Sequence, residues 1–334
     1  MELLKKLTQT YSPSGNEERI RKIIESEAKP YAEDISTDAL GNLIVHKKGD
    51  GAKMMLCAHM DEIGVLVTYI EDSGFLRFAP VGGVPTYCSL FQTVEFENGV
   101  RGVIGYEEKI NITTELNLGK MYIDIGATSA DEARKMVEIG DSAVFCGDFF
   151  TNGDNAVSKA MDNRAGVYVL LNVLKNMKKS ENDLYFVFST QEELGLRGAR
   201  AAANAILPDV ALAVDVTDTG DTPNCNQMAV KLGGGPCIKF MDNSIITHKR
   251  VNDALKNSAK RTDTPYQCEV LILGGTDAGA IHTAGSGAMT GAVSIPTRYI
   301  HTPHECVNIN DVKAAITLIC DFAENKFDKG ENNV

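Results

Sequence analysis

The chain alternates between short, almost wholly apolar runs and longer segments that have the pattern of helices. Residues 54–58 (MMLCA), 184–188 (LYFVF) and 211–214 (ALAV) have the length of strands, whereas residues 162–177 and 308–326 have the length of helices. Strands that are apolar on both faces must be covered on both faces, and the helices that join them can provide that cover. The alternation therefore predicts an α/β domain of three layers with a mixed sheet in the middle.

A stretch of different character interrupts this alternation. From residue 67 to residue 157 the sequence contains short β-type runs, such as RGVIGY (101–106) and MYIDIGA (121–127), which Gly, Asn and Pro separate. Such spacing is typical of a small β-rich module. A chain of 334 residues is long enough for two domains. We therefore expect an α/β domain formed by residues 1–66 and 158–334, with a small β-barrel-like domain inserted at 67–157.

Charge, hydropathy and cysteine usage exclude several classes of protein. The net charge of −12 would repel phosphate backbones, so we expect no nucleic-acid partner. No apolar run approaches the roughly 18 residues of a membrane span, and the first residues lack the apolar segment of a signal peptide, so we expect no membrane association. The eight cysteines are scattered without a CxxC pair, which is typical of free thiols in a reducing compartment. These features predict a cytoplasmic protein.

Side chains that commonly bind metals follow the apolar runs: His59 and Asp61, Glu192 and Glu193, Asp215, and, after the last strand, His301. A further carboxylate, Asp162, lies where the inserted domain returns to the α/β domain. Proteins of this class bind ligands at the carboxyl ends of their strands, so we expect these side chains to meet. Two imidazoles and three carboxylates would suit two ions of the zinc or cobalt class that share a bridging carboxylate. One glutamate would then remain for proton transfer in metal-assisted hydrolysis.

Each of these residues also has a simpler interpretation. Asp162 could cap a helix, and Asp215 could cap the following turn. His59 and Asp61 could form an ordinary hydrogen-bonded pair in the core. Glu193 could pair with Arg197 one helical turn later. The occurrence of all of them at strand ends favours the metal site.

Six motifs in this order resemble the cytosolic tetrahedral aminopeptidases, which include glutamyl and deblocking aminopeptidases. The motifs are AHMDEIG (58–64), SKAMDNRAG (158–166), TQEELGLRGA (190–199), VDVTDTGDTP (214–223), GGTDAGA (274–280) and RYIHTPHE (298–305). The likeness covers nearly the whole chain and includes the insertion that follows the first motif. It implies a metallopeptidase domain of the three-layer α/β type.

The resemblance also implies a role for each candidate residue. Asp162 would bridge two divalent ions, and the remaining metal ligands would be His59 and Asp215 for one ion, and Glu193 and His301 for the other. Asp61 would orient His59 through its second ring nitrogen. Glu192 would be the general base, and the peptide bond between Asp162 and Asn163 would be cis. Zinc or cobalt would suit this ligand set, and manganese would be tolerated.

The predicted function is therefore a metal-dependent aminopeptidase, which releases N-terminal residues from short peptides by the attack of a metal-activated water. The resemblance further implies homo-oligomers, in which dimers form through the inserted domain and assemble into a dodecamer. The preferred N-terminal residue stays open, because an acidic preference would need a cationic pocket and the sequence does not place Arg164, Arg197 or Arg298 in one.

Two other functions remain as alternatives at this stage. A glycoside hydrolase also uses paired carboxylates, although these must straddle the scissile bond at roughly 5 to 9 Å, and the chain has no tryptophan to stack on sugars. A metal-binding scaffold without catalysis would lack a general base, whereas Glu192 is present. Dependence of activity on metal would separate the aminopeptidase from the glycosidase.

Overall fold

A computed structural model describes residues 1–329 of the chain, so the last residues of the predicted α/β domain, 330–334, lie outside the described part. The strands are β1 (Asp34–Thr37), β2 (Leu43–Lys47), β3 (Lys53–His59), β4 (Gly64–Ile70), β5 (Leu76–Val81), β6 (Thr93–Phe96), β7 (Arg101–Tyr106), β8 (Met121–Asp124), β9 (Ser142–Phe145), β10 (Phe150–Asn152), β11 (Asn155–Ser158), β12 (Asp183–Ser189), β13 (Val210–Thr217), β14 (Cys237–Met241), β15 (Gln267–Val270), β16 (Met289–Arg298) and β17 (Glu305–Asn308).

The α-helices are α1 (Glu2–Gln9), α2 (Glu18–Ala28), α3 (Thr86–Ser89), α4 (Ala130–Ala133), α5 (Met161–Asn176), α6 (Arg197–Ile206), α7 (Lys249–Thr262), α8 (Ala278–Ile281) and α9 (Ile309–Glu324). Most of the α-helices lie outside the segment that contains β4 to β9, and only the short α3 and α4 lie within it. In the described part of the chain, no helix is both long enough and apolar enough to cross a membrane.

The large sheet is mixed, as the sequence predicts. Its main path runs β1-β2-β12-β3-β13-β16-β17-β11-β10, and β14 and β15 extend it beside β16. The central strands β12, β3, β13 and β16 are parallel neighbours. Ser189 lies opposite His59, and Ala213 lies opposite Cys57. Asp215, two residues before the end of β13, therefore lies level with His59, the last residue of β3. The register thus brings two candidate ligands to one edge of the sheet.

Both faces of the sheet are covered, which confirms the three-layer architecture. Successive residues of β3 alternate between two clusters: Met54 and Leu56 pack with the core that α5 and α9 cover, whereas Met55 and Cys57 pack with side chains of α6 and α8. All four side chains are fully buried. An almost continuous apolar strand is required here because a polar residue on either face would lose its contact with water.

The inserted segment forms a closed antiparallel barrel of the order β4-β5-β8-β7-β6-β9, with its own apolar core. The barrel strands extend from Gly64 to Phe145. The first of them therefore begins slightly before residue 67, the predicted start of the inserted domain. At the other end, β10 and β11 pair with the large sheet rather than with the barrel. The assignment of residues 67–157 to a dimerisation domain stays a prediction.

Candidate metal centre

Three candidate ligands form a buried group at the carboxyl edge of the central strands, which we call the inner triad: His59, Asp162 and Asp215. His59 Nε2 lies 3.0 Å from Asp162 Oδ1 and 3.7 Å from Asp215 Oδ1. His59 ends β3, Asp215 lies two residues before the end of β13, and Asp162 approaches from the start of α5. All three are nearly inaccessible to solvent.

A second group, the outer triad, shares Asp162 with the first and adds Glu193 and His301. His301 Nε2 lies 3.4 Å from Asp162 Oδ2 and 3.3 Å from Glu193 Oε2. The two oxygens of Asp162 thus face different triads, as a bridging ligand requires. Glu193 faces His301, whereas Arg197 hydrogen-bonds to Gln191, so the structure does not bear out the alternative pairing of Glu193 with Arg197.

Asp162 does not act as a helix cap. The first residues of α5 depart from helical geometry at Asp162 and Asn163, and the peptide bond between them is cis, as the resemblance implies. The side chain of Asn163 donates to the carbonyl of Val214 and fixes this segment against β13. The Asp162 carboxylate therefore lies between His59 and His301, which excludes the capping interpretation.

The hydrogen bonds of the two imidazoles fit a role as metal ligands. His301 Nδ1 donates to the carbonyl of Gly83 at 2.8 Å, so Nε2, which faces the outer triad, is the nitrogen that would be left to bind a cation. His59 Nδ1 lies 3.4 Å from Asp61 Oδ1 and makes no hydrogen bond, although it is buried. A small movement would let Asp61 accept from this nitrogen and leave Nε2 free for a cation.

Asp61 also holds the segment that carries both glutamates. Its Oδ1 accepts from the backbone N–H of Glu192 at 3.0 Å, and its Oδ2 accepts from the N–H of Glu193 at 3.2 Å and from Ser14 Oγ at 2.6 Å. The side chain is completely buried. One carboxylate thus fixes the approach of Glu192 and Glu193 and lies beside the ring of His59.

Electrostatics at the site are dominated by burial and by the crowding of charges. Burial disfavours the charged ring of His301, yet Glu193 and Asp162 raise its pKa to about 12, and the pKa of His59 is likewise raised well above its usual value. Burial also opposes ionisation of Asp162, but hydrogen bonds from His301 and His59 hold its pKa well below the ordinary range. Protons on the imidazoles balance the carboxylates here, which is the role a divalent cation fills in a metal site.

Glu192 belongs to neither triad. Its Oε2 lies 3.9 Å from His59 Nε2, within the same cavity as the proposed ligands. Burial, reinforced by the charges of Asp215, Asp277 and Glu193, raises its pKa well above the usual value. A carboxylate with a raised pKa beside a ligand cluster has the location and basicity of a general base.

The sequence interpretation missed one buried carboxylate, Glu305, which joins the two triads through the backbone. Its Oε2 accepts from the N–H of Asp162 and its Oε1 from the N–H of His301, both at 2.8 Å. Glu305 is 2% exposed, and burial raises its pKa well above the usual value. The only hint in the sequence is an acidic residue four positions after His301, directly before the apolar pair Cys306 and Val307.

Comparisons with known proteins give a consistent result. The model of the M42 glutamyl aminopeptidase family matches residues 41–318. A relative from Acetivibrio thermocellus with a provisional aminopeptidase assignment is 53% identical over 320 residues, which cover 96% of this chain and 97% of the relative.

Two solved structures share both the sequence and the fold. Aminopeptidase APDkam598 of the archaeon Desulfurococcus kamchatkensis is 39% identical, with a TM-score of 0.93 and coverage of 97% of this chain and 94% of that chain. The TET1 peptidase of Pyrococcus horikoshii, described as able to assemble into a tetrahedron or a large octahedral shell, is 36% identical, with a TM-score of 0.86 and coverage of 96% and 98%. These likenesses support the aminopeptidase interpretation over the glycosidase and the scaffold.

Proposed function

The chain belongs to the M42 glutamyl aminopeptidase family and is a metal-dependent aminopeptidase, and on this basis we propose that its two triads hold two divalent ions. The observation that carries the proposal is the pair of overlapping ligand groups that share Asp162. Zinc or cobalt fits a set of two imidazoles and three carboxylates, and manganese would be tolerated. Bound ions of this kind polarise a substrate carbonyl and lower the pKa of a water molecule.

Within this proposal the inner triad holds one ion and the outer triad the other. Asp162 bridges them, and His59 and Asp215 complete the inner set, while Glu193 and His301 complete the outer set. The buried carboxylate of Asp61 holds the backbone of the two glutamates and lies 3.4 Å from Nδ1 of His59. Holding the ligands in place before the ions bind reduces the reorganisation that binding would otherwise require.

Glu192 takes a proton from the attacking water and transfers it to the leaving amine. Its location beside His59, outside both triads, supports this assignment. Burial raises its pKa, so it holds the transferred proton more tightly than a solvated glutamate would, until the more basic leaving amine accepts it. Peptides with a free N-terminus are the proposed substrates.

We further propose a homo-oligomer, a dodecamer built from dimers, in which residues 67–157 form the dimer contact. The barrel segment exposes several large apolar side chains, including Tyr87 and Phe91, which are 80% and 65% exposed. Exposed aromatic residues of this kind are common at interfaces between subunits. The assembly of the Pyrococcus horikoshii relative supports the proposal. A stable monomer in light scattering at micromolar concentration would contradict it.

The proposed location is the cytoplasm. All eight cysteines are unpaired in the structure, and several of them, such as Cys57 and Cys237, are buried. Free buried thiols persist in a reducing compartment.

The metal assignment is tested by removing and restoring the ions. Protein treated with a chelator should lose peptidase activity, and reloading with zinc, cobalt or manganese should restore it with two ions bound per chain, counted by elemental analysis. Activity that survives complete removal of metal would exclude a metal-dependent mechanism. Saturation at a single ion per chain would exclude the paired site.

A further inference from the structure

A cavity of about 550 Å³ opens beside the two triads, and its lining differs sharply from one part to another. One part consists of the proposed ligands and Glu192. Most of the rest is formed by glycine backbone and by apolar side chains: Pro85, Leu196, Val216, Leu271, Leu273 and Ile300. Thr217 also lines the cavity. An aminopeptidase must place the side chain of the first residue of its substrate next to the reacting carbonyl, and this apolar part of the lining lies beside the proposed reaction site.

The cavity contains one further charged residue, and it is acidic. Asp218 follows β13 directly and is the only ionisable side chain of the described lining other than the triad residues and Glu192. It is exposed to solvent within the cavity. Neither a lysine nor an arginine of residues 1–329 lines the cavity.

The arginines that could have formed a cationic pocket are engaged elsewhere. Arg164 is fully buried and donates to the carbonyls of Leu7 and Thr10, and Arg298 forms a two-point ion pair with Asp221 at 2.9 and 2.7 Å. Arg197 reaches the side chain of Gln191.

The buried Lys239 pairs with Glu269 and lies near Asp242. Since none of these cations lines the cavity, a carboxylate in the first residue of a substrate would find no partner there.

We propose that this enzyme removes uncharged aliphatic residues from peptide N-termini and rejects acidic ones, with the apolar lining and Asp218 as the determinants. The inference rests on the proposed function, because it concerns the substrate of the same site. It separates this chain from the acidic preference that the family description would suggest.

The order of preference follows from the lining. A leucine side chain leaves water for apolar contacts without any loss of polar interactions. A lysine can bury its stem and approach Asp218, but it must partly dehydrate its ammonium, and the attraction of an exposed carboxylate is screened by water. A glutamate loses its hydration without gaining a partner and also meets the charge of Asp218. The expected order is therefore leucine, then lysine, then glutamate.

The experiment compares p-nitroanilides of leucine, lysine and glutamate on the assembled, metal-loaded enzyme. The kcat/KM for leucine should exceed that for glutamate by at least about 100-fold. If the glutamate substrate were turned over as fast as the leucine substrate, the inference would be overturned while the proposed function stayed intact. Such a result would point to a cation supplied by a neighbouring subunit. Absence of turnover for all three substrates would remove the proposed function and this inference together.

The Asp218→Asn variant tests the charge. The ratio of kcat/KM for glutamate to that for leucine should rise on the order of tenfold, because a like charge leaves the cavity. Asp50→Asn removes one negative charge from an exposed position outside this cavity and serves as the matched control. An equal change of the ratio in both variants would overturn the role of Asp218.

The Leu273→Asn variant tests the apolar lining. Leu273 is 77% exposed, so the substitution should leave the fold intact. We expect kcat/KM for leucine to fall roughly fivefold to tenfold relative to that for alanine, whose short side chain reaches less of the lining. An unchanged ratio of leucine to alanine would show that Leu273 does not contact the first residue.

Discussion

The inner and outer triads use the same ligand chemistry but are held by different kinds of structure. His59 is the last residue of β3 and Asp215 lies near the end of its neighbour β13, in the middle of the large sheet. Their side chains are 2% and 7% exposed. His301 lies in the loop between β16 and β17 with a positive φ of 61°, and its side chain is 30% exposed. His59 and Asp215 are thus fixed by the sheet itself, whereas His301 depends on individual hydrogen bonds.

The supports of the outer triad come from distant parts of the chain. Gly83, in the loop after β5 of the barrel, accepts from His301 Nδ1, and Glu305 accepts from the N–H of His301. The barrel therefore takes part in forming the site although it provides none of the proposed ligands. We expect the outer ion to be held more weakly than the inner one, and the following predictions test this difference.

The largest effect is expected for the residue that belongs to neither triad. Glu192→Gln keeps the size of the side chain but removes the base, so turnover should fall by about 10²- to 10⁴-fold with little change in KM. Metal content should stay near two ions per chain, measured by elemental analysis of dialysed protein. Loss of an ion in this variant would assign Glu192 to the ligand set instead.

A smaller and reversible effect is expected for a ligand of the outer triad. Glu193→Gln removes a charged ligand at 3.3 Å from His301 Nε2, so the outer ion should be lost on dialysis, and excess metal should partly restore activity. Asp215→Asn is the matched change in the inner triad, and restoring its activity should require more metal or should fail. Equal metal requirements for the two variants would show that the two triads do not differ in the way the structure indicates.

Much of the inner triad could be predicted from the sequence, because the signal is local. The apolar runs that end in His59 and Asp215 fix the strands, and parallel pairing then brings their carboxyl ends together. The same logic placed Glu192 and Glu193 after β12. The three layers and the barrel also follow from periodicity and from the spacing of turns.

The remaining features depend on contacts that no local pattern records. The hydrogen bond from His301 to Gly83 joins residues 218 positions apart, and the one from Asp162 to Glu305 joins residues 143 positions apart. The strand β14 (Cys237–Met241), which lies between β15 and β16, was not predicted, because a lysine interrupts its short apolar run. That residue, Lys239, is buried through its ion pair with Glu269, a partner that only the fold reveals.

A moderate effect is expected for the carboxylate that joins the two triads. In Glu305→Gln one side-chain oxygen becomes an NH₂ group, which cannot accept from the backbone N–H of Asp162 or His301. We expect metal affinity to fall by roughly 10- to 100-fold, with the outer ion lost first, in competition titrations against a chelator.

The control for this variant is Glu324→Gln, because Glu324 also accepts from a backbone N–H, that of Lys178, but lies at the end of α9. Wild-type affinity for both ions in Glu305→Gln would show that the carboxylate stabilises the fold without positioning the ligands. A thermal melt of the metal-free protein separates the two effects, since a change in the positioning of ligands alone leaves that melt unchanged.

The smallest effect is expected where the barrel touches the outer triad. A methyl group added at Gly83 would lie 2.8 Å from His301 Nδ1 and 2.9 Å from its Cε1, so the ring must shift, and it is free to do so because it is partly exposed. Gly83→Ala should therefore lower the affinity for the outer ion by no more than about tenfold, which is typical when a contact that orients a ligand is lost. The affinity for the inner ion should stay unchanged. Gly119→Ala is the matched control, because its added methyl group would meet only the side chain of Asn117, at 3.1 Å. Equal loss of both ions in Gly83→Ala would mean that the barrel supports the whole site, and the contrast between a triad built by the sheet and a triad braced by loops would then be wrong.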